Sequence, residues 1–294
     1  VSYGAVFLFH ILAQPILIIS QSEDIIILWF RFLSLLGFLF MQPLIVLNIV
    51  GLTPRHLGAN TPRLSAFARQ GAMRPLTTTF PAVTCTAQAT FMTGLPPDQT
   101  GVVANGWLFR DLCEIWFWRQ SNRLVSGEKI WEAGKARDPR FTCAKMFWWY
   151  NMYSGADWSV TPRPMYPADG RKFFDVYTWP YDLRPALKKA LGDFPFATFW
   201  GPAAGVKSPQ GAPDAATRWI AGSAKWIEKK HSPTLNLVYL PHLDYNLQRL
   251  GPQHPAVADD LRRIDAIVGD LLDFFAARGV QPILLSEYGI TPVS

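Results

Sequence analysis

Cysteine is scarce in this sequence. Its 294 residues include only Cys85, Cys113 and Cys143, and none of them forms a C-x-x-C pair. So few scattered cysteines exclude a disulfide-stapled scaffold and offer no thiolate motif for zinc or redox chemistry. We therefore expect a protein of a reducing compartment that is stabilised by an apolar core.

Charge is sparse as well. Only 17% of the residues are charged, whereas 49% are hydrophobic, and the net charge is +6. The basic residues are dispersed along the chain, so the pattern predicts a solvated surface and no dedicated nucleic-acid partner. The sequence also lacks internal repeats and low-complexity tracts, and its length suits one large core with insertions.

The first forty residues differ from the rest. Two apolar stretches, Tyr3–Ile19 and Ile25–Phe40, each approach the ~20 residues that cross a bilayer. They are either a native anchor, which would make the protein membrane-associated, or a non-native extension before a natural start at Met41, which would leave it cytoplasmic. The initial valine and the missing cleavage site favour the second interpretation. The domain that follows, 41–294, is expected to be truncated at its C-terminal end.

Beyond Met41, apolar runs of strand length alternate with helical patterns. The runs Pro43–Val50, Thr234–Leu240 and Gln281–Ser286 predict buried strands, while Thr84–Thr93 and Pro255–Arg278 predict helices. This alternation is typical of a mostly parallel sheet that is covered on both faces. The sequence therefore predicts an α/β fold, a three-layer αβα sandwich.

An irregular stretch of about 107–213 interrupts this pattern and is predicted to be a cap-type insertion that covers a site. Its aromatic cluster includes Trp148, Trp149 and Tyr150. These rings are weak candidates for stacking on a flat group of a substrate, and packing under the insertion is the alternative.

Ligands of open α/β sheets bind beyond the carboxyl ends of the strands. Thr84, Asp244 and Glu287 stand at such ends in the predicted fold. Thr84 also opens a predicted helix, where backbone N–H groups and the helix dipole favour an anion. From position alone, Thr84 is either a plain helix cap or part of an anion site.

Longer motifs surround these residues. The run from Thr84 to Asn105 contains T-G-L-x-P-x-x-x-G, and the stretches Leu237–Asp244 and Pro282–Gly289 follow it in order. This arrangement resembles the type I phosphodiesterases and nucleotide pyrophosphatases of the alkaline phosphatase superfamily, and the likeness extends from Met41 to Ser294. The sulfatase branch does not fit, because C-x-P-x-R is absent. Phosphonoacetate hydrolase, which shares the threonine nucleophile, stays open.

The resemblance implies a hydrolase acting on a small phosphorylated compound, with an alkaline-phosphatase-like fold. Thr84 would attack phosphorus and form a covalent intermediate. Asn105 would donate a hydrogen bond to a phosphoryl oxygen. Asp244, Glu287 and the Thr84 oxygen would hold divalent metal ions, which are zinc in the family.

Several metal positions depart from the family pattern. Val50 replaces an aspartate, and Gln248 and Tyr288 replace histidines. Asn48 and His242, two positions before Val50 and Asp244, are candidates to compensate if these segments are strands. Gln248 and Tyr288 themselves are candidate ligands or neighbours of ligands.

The remaining oxygen-rich set suits manganese or magnesium better than zinc. A catalytically silent relative, which binds a phosphorylated ligand or a protein in the same cleft, is the second hypothesis.

Overall fold

The computed structural model describes residues 4–8, 41–165, 167–171, 173–205 and 212–292. Ten strands are described: β1 Gly4–Leu8, β2 Leu44–Ile49, β3 Ala72–Leu76, β4 Gly106–Phe109, β5 Glu114–Phe117, β6 Cys143–Met146, β7 Trp158–Met165, β8 Phe173–Trp179, β9 Leu235–Leu240 and β10 Gln281–Leu285. The helices of the same segments, short 3-10 turns aside, are α1 Pro62–Gln70, α2 Thr84–Thr93, α3 Pro97–Thr100, α4 Ile130–Arg137, α5 Leu183–Leu191, α6 Ala215–His231, α7 His242–Leu250 and α8 Val257–Ala276.

Eight of the described strands form one sheet, in the order β3-β1-β10-β2-β9-β6-β7-β8. The five strands from β10 to β7 are parallel, while β8 is antiparallel to β7, and β1 is antiparallel to both β10 and β3. The predicted α/β fold with a mostly parallel central sheet is therefore confirmed.

The central strands are buried on both faces. In β2, the alternate residues Ile45, Leu47 and Ile49 pack in a core with α1, α6 and α8, whereas Leu44 and Val46 pack in a second core with α2 and α4. Because successive strand residues point to opposite faces, an unbroken apolar run satisfies both layers. This explains why the run from Pro43 to Val50 was readable as a central strand.

The middle of the chain contributes more to the sheet than its sequence suggests. Within the stretch of about 107–213, predicted to be a cap-type insertion, β6, β7 and β8 extend the main sheet. Pro162 and Pro164 make β7 hard to predict as a strand. Both lie beyond the part of β7 that pairs with β6, so no backbone N–H is needed on the side of β6. The β4–β5 hairpin is the part of this stretch that forms a separate small sheet.

The interpretations of residues 1–40 fall mostly outside the described residues. The exception is β1, Gly4–Leu8, which pairs with β3 and β10 and was not predicted as a strand. No helix in the described part of the chain combines the length and apolar character that crossing a bilayer requires.

Candidate active site

Three segments that are distant in sequence meet beyond the carboxyl ends of neighbouring strands. They are the end of β2, the helix α7 after β9 and the residues after β10, because β10, β2 and β9 are adjacent and parallel. Helix α2 begins at the same edge. A cavity of about 550 Å³ opens there, lined by Ala82, Val83, Thr84, Asn105, Trp118, Trp200, Gln248, Tyr288, Gly289 and Ile290.

Thr84 is the first residue of α2 and is almost fully buried. Its hydroxyl makes no hydrogen bond of normal geometry to any described residue. It nevertheless lies beside the side chains of Glu287 and Tyr288. Burial raises the pKa of both groups, and the neighbouring Thr84 hydroxyl lowers the pKa of each in part. The hydroxyl stands at the positive end of the dipole of α2.

Asn105 holds the start of the same helix. Its Oδ1 accepts the backbone N–H of Cys85 at 3.0 Å. The amide is therefore oriented with Nδ2 as its remaining donor at the lining of the cavity. This geometry agrees with a donor that faces a phosphoryl oxygen, although that role is a prediction.

Asp244, the third residue of α7, is fully buried. Its Oδ2 accepts two hydrogen bonds, from Gln248 Nε2 at 2.6 Å and from the Tyr288 hydroxyl at 3.2 Å. Its Oδ1 has no partner among the described residues. Both family departures at histidine positions therefore act on one carboxylate oxygen.

Glu287 is arranged in the same way. Its Oε1 accepts hydrogen bonds from Asn48 Nδ2 and from Gln88 Nε2, each at 2.6 Å, and its Oε2 has no partner within the described segments. This contact agrees with the prediction that Asn48 lies close to the predicted metal ligands. Asn48 donates from its amide nitrogen, so in this structure it supports a carboxylate.

Gln88 is the member of this network that the sequence analysis missed. It stands four residues after Thr84, which places both side chains on one face of α2. Its Oε1 accepts the backbone N–H of Trp149 at 2.8 Å, so its Nε2 is fixed toward Glu287. Helical spacing from the predicted nucleophile was the available signal.

The two carboxyl groups have strongly raised pKa values. Burial raises the pKa of Asp244 to about 7, and the charge of Glu287 adds to the effect. Burial likewise raises the pKa of Glu287 to about 7, against the opposing effects of the Gln88 amide, the neighbouring Thr84 hydroxyl and the Asn48 amide. A perturbed acidic pair in a cleft is typical of a functional site.

Val50 and His242 do not supply a metal ligand. Val50 is buried in the apolar core at the end of β2. His242 is the first residue of α7, and Asp244 is the third. Side chains two residues apart point about 200° away from each other on a helix, whereas they would share a face on a strand. Its Nε2 lies 3.1 Å from Asp260 Oδ1, and the imidazole meets Asp260 instead of the cavity.

The aromatic prediction also needs correction. Trp148, Trp149 and Tyr150 are buried in the core beside α2, and none of them lines the cavity. Trp118 and Trp200 line it instead, and Trp118 packs on Trp149 with ring centroids 5.0 Å apart. Their isolated positions in irregular segments gave no periodic signal.

The residues fit one oxygen-bound cation better than a pair of zinc ions. Asp244 Oδ1, Glu287 Oε2 and Thr84 Oγ1 are buried oxygens without partners in the described chain. Oxygen ligands are those that magnesium, calcium and manganese prefer. No group of three or more His, Cys, Asp or Glu side chains comes together in the described segments, and zinc lacks its usual imidazole set.

Comparisons with known proteins agree with this geometry. The family model of type I phosphodiesterases / nucleotide pyrophosphatases matches residues 44–294. The chain belongs to this family. An uncharacterised pyrophosphatase/phosphodiesterase of Schizosaccharomyces pombe is 23% identical over 261 residues, which cover 87% of this chain and 46% of that protein.

Solved structures show the same fold. An inactive threonine-to-alanine variant of murine ectonucleotide pyrophosphatase/phosphodiesterase 5, in complex with AMP, has a TM-score of 0.55 at 14% identity, over 86% of this chain and 58% of that one. Phosphonoacetate hydrolase from Sinorhizobium meliloti, in complex with phosphonoformate, has a TM-score of 0.55 at 14% identity, over 85% and 56%. The chain thus spans about half the length of these relatives.

The raised pKa values predict a pH-dependent stability. The folded protein binds protons at Asp244 and Glu287 more tightly than the unfolded chain, so this contribution is full below their ordinary pKa values and is lost as pH rises through about 7. In urea unfolding with a chelator, Asp244→Asn should gain at least about 1 kcal/mol relative to the native chain between about pH 5 and 8. Asp193→Asn, at an exposed carboxylate, is the control. Parallel profiles for Asp244→Asn and the native chain would contradict the assignment.

Proposed function

We propose that this chain carries the catalytic site of a metal-dependent phosphodiesterase or nucleotide pyrophosphatase, with Thr84 as nucleophile and a small phosphorylated compound as substrate. The observation that supports this most is the position of the Thr84 hydroxyl. It is buried at a helix N-terminus beside Glu287, and Glu287 and Asp244 each keep one oxygen without a partner in the described chain. An ordinary helix cap would use that hydroxyl for a backbone N–H.

The reaction follows from these positions. The Thr84 oxygen forms a bond to phosphorus while the bond to the leaving oxygen breaks, and the leaving group takes a proton from solvent. The Thr84 hydroxyl loses its proton to solvent as its oxygen attacks, and Glu287 lies beside it. Water then cleaves the phosphothreonine, which restores Thr84.

Asn105 and the helix terminus stabilise the charge on phosphorus. The Nδ2 donor of Asn105 and the dipole of α2 face the same cavity as Thr84. A divalent cation, held by Asp244, Glu287 and Thr84, would lower the pKa of the hydroxyl and offset phosphate charge. Trp118 and Trp200 flank the cavity and offer ring faces to the rest of the substrate.

The relatives support an anionic phosphorus ligand. AMP is bound to the murine protein and phosphonoformate to the bacterial one, and the inactive murine variant replaces a threonine with alanine. A phosphonate substrate therefore belongs beside phosphodiesters and nucleotides in any activity panel.

A silent binding protein is the second candidate. The observation that favours it is the filling of one oxygen on each carboxylate by neutral donors, from Gln248 and Tyr288 on Asp244 and from Asn48 and Gln88 on Glu287. Two carboxylates that accept such hydrogen bonds need less positive charge from bound cations than two carboxylates without donors do. The cleft would then bind a phosphorylated ligand without turnover.

Replacing Thr84 with alanine should abolish hydrolysis of an aryl phosphodiester, because the attacking oxygen is lost. Stability should change by less than about 1 kcal/mol, since the hydroxyl caps no backbone group. Turnover of bis(para-nitrophenyl) phosphate and urea unfolding measure both effects. Thr86→Ala is the matched control, because its buried hydroxyl is also without a partner among the described residues but points from the other side of α2. Retained turnover in Thr84→Ala would reject the nucleophile.

Replacing Asn105 with alanine should lower kcat by roughly 10²–10³, because a donor to the phosphoryl oxygens is removed. Asn105→Asp separates this role from the support of α2, since a carboxylate still accepts the Cys85 N–H but cannot donate. Both variants should therefore be impaired in steady-state assays. Normal turnover in Asn105→Asp would limit Asn105 to holding the helix.

The chain should bind few metal ions, and those ions should be hard cations that prefer oxygen ligands. We expect at most one tightly bound divalent ion per chain, and activity with manganese or magnesium at least equal to that with zinc, because the free ligands are oxygens. Metal analysis, followed by chelation and reconstitution, tests both expectations. Two zinc ions per chain would contradict them, and absence of both metal and hydrolysis across phosphodiesters, nucleotides and phosphonates would favour the silent candidate.

A further inference from the structure

Lys145 is a buried cation that the proposed reaction does not use. It lies in β6 and is fully buried. No carboxylate of the described chain forms an ion pair with it. Burial lowers its pKa to about 7. A buried lysine without an acidic partner is costly, so its contacts need a specific explanation.

Backbone carbonyls and an aromatic ring surround the ammonium group. Lys145 Nζ donates to the carbonyls of Tyr150 at 3.1 Å and Trp149 at 3.3 Å, and it lies 4.3 Å from the centre of the Trp131 ring. The ammonium group thus bonds to two carbonyls of one turn, and its charge faces the ring of Trp131. Tyr150 has φ of 62°, a left-handed backbone conformation that an aromatic residue rarely adopts. The turn Trp149–Tyr150 therefore depends on contacts from outside itself.

The same two residues reach the candidate site. The Trp149 N–H donates to Gln88 Oε1, which directs Gln88 Nε2 onto Glu287, and the Trp149 ring packs on Trp118 at the cavity. The Tyr150 phenol lies beside the thiol of Cys85, the residue that follows the nucleophile. One turn thus touches the helix α2 and the ring of Trp118, and it reaches the Glu287 carboxylate through Gln88.

We infer that Lys145 is a positioning residue, whose ammonium group fixes the Trp149–Tyr150 turn and thereby places Gln88 against Glu287 and Trp149 against Trp118. Lys145 is not among the residues that line the cavity. Its effect on turnover rests on the proposed function, whereas its effect on the Trp118–Trp149 pair does not.

Lys145→Met keeps most of the buried volume and removes the donors. We expect kcat for bis(para-nitrophenyl) phosphate to fall roughly tenfold or more with KM changed by less than about threefold, because a catalytic group is misplaced. Affinity for Mn²⁺ should fall roughly tenfold, since Glu287 loses the orientation of its amide donor. The exciton signal of the Trp118–Trp149 pair in circular dichroism, defined by the double-mutant cycle of Trp118→Phe and Trp149→Phe because Trp118 also packs on Trp200, should disappear.

Lys135→Met is the matched control, because Lys135 also donates to a backbone carbonyl, that of Gly155, and to Asp157, but outside the candidate site. It should leave kcat, Mn²⁺ affinity and the exciton signal unchanged. If Lys145→Met does not fold, Lys145→Gln, which keeps one short donor, is measured instead, with a fall of roughly fivefold in kcat expected.

A folded Lys145 variant with native kcat, Mn²⁺ affinity and exciton signal would overturn the inference. If the native chain neither hydrolyses the probe nor binds Mn²⁺, the proposed function fails, and the exciton signal alone decides whether Lys145 positions the turn.

Discussion

The burial of two carboxylates at one edge of the sheet is the constraint on which this structure depends. Asp244 and Glu287 are both out of contact with water, and removing a carboxylate from water costs several kcal/mol unless other groups stabilise it. Each receives two donors on one oxygen. These donors come from β2, α2, α7 and the segment after β10, so the electrostatics of the site fixes the relative positions of four elements.

Much of this arrangement could be predicted from sequence. The strands β2, β9 and β10 are mostly apolar runs, and burial on both faces favours that pattern. Once they are parallel neighbours, their carboxyl ends must meet, which places Asp244 and Glu287 together although 43 positions separate them. The resemblance of the segment from Thr84 to Asn105 supplied the remaining roles as expectations.

The rest required coordinates, for physical reasons. Asn48 bonds to Glu287 across 239 positions, and Gln88 bonds to it across 199, so no local pattern reports either contact. Trp118 and Trp200 belong to irregular segments without periodicity. His242 was expected to share a strand face with Asp244, whereas the helix α7 begins at His242 and directs its imidazole toward Asp260.

The two changed histidine positions act together. Gln248 and Tyr288 would count as two separate losses if each were compared with the family alone, yet both donate to Oδ2 of Asp244. A neutral donor pair supplies part of the stabilisation that a cation gives a carboxylate, and it does so without imidazole. Under the proposed function, the substitutions are coherent with a site that holds one cation fewer than the resemblance implies, which is a different state from a damaged two-cation site.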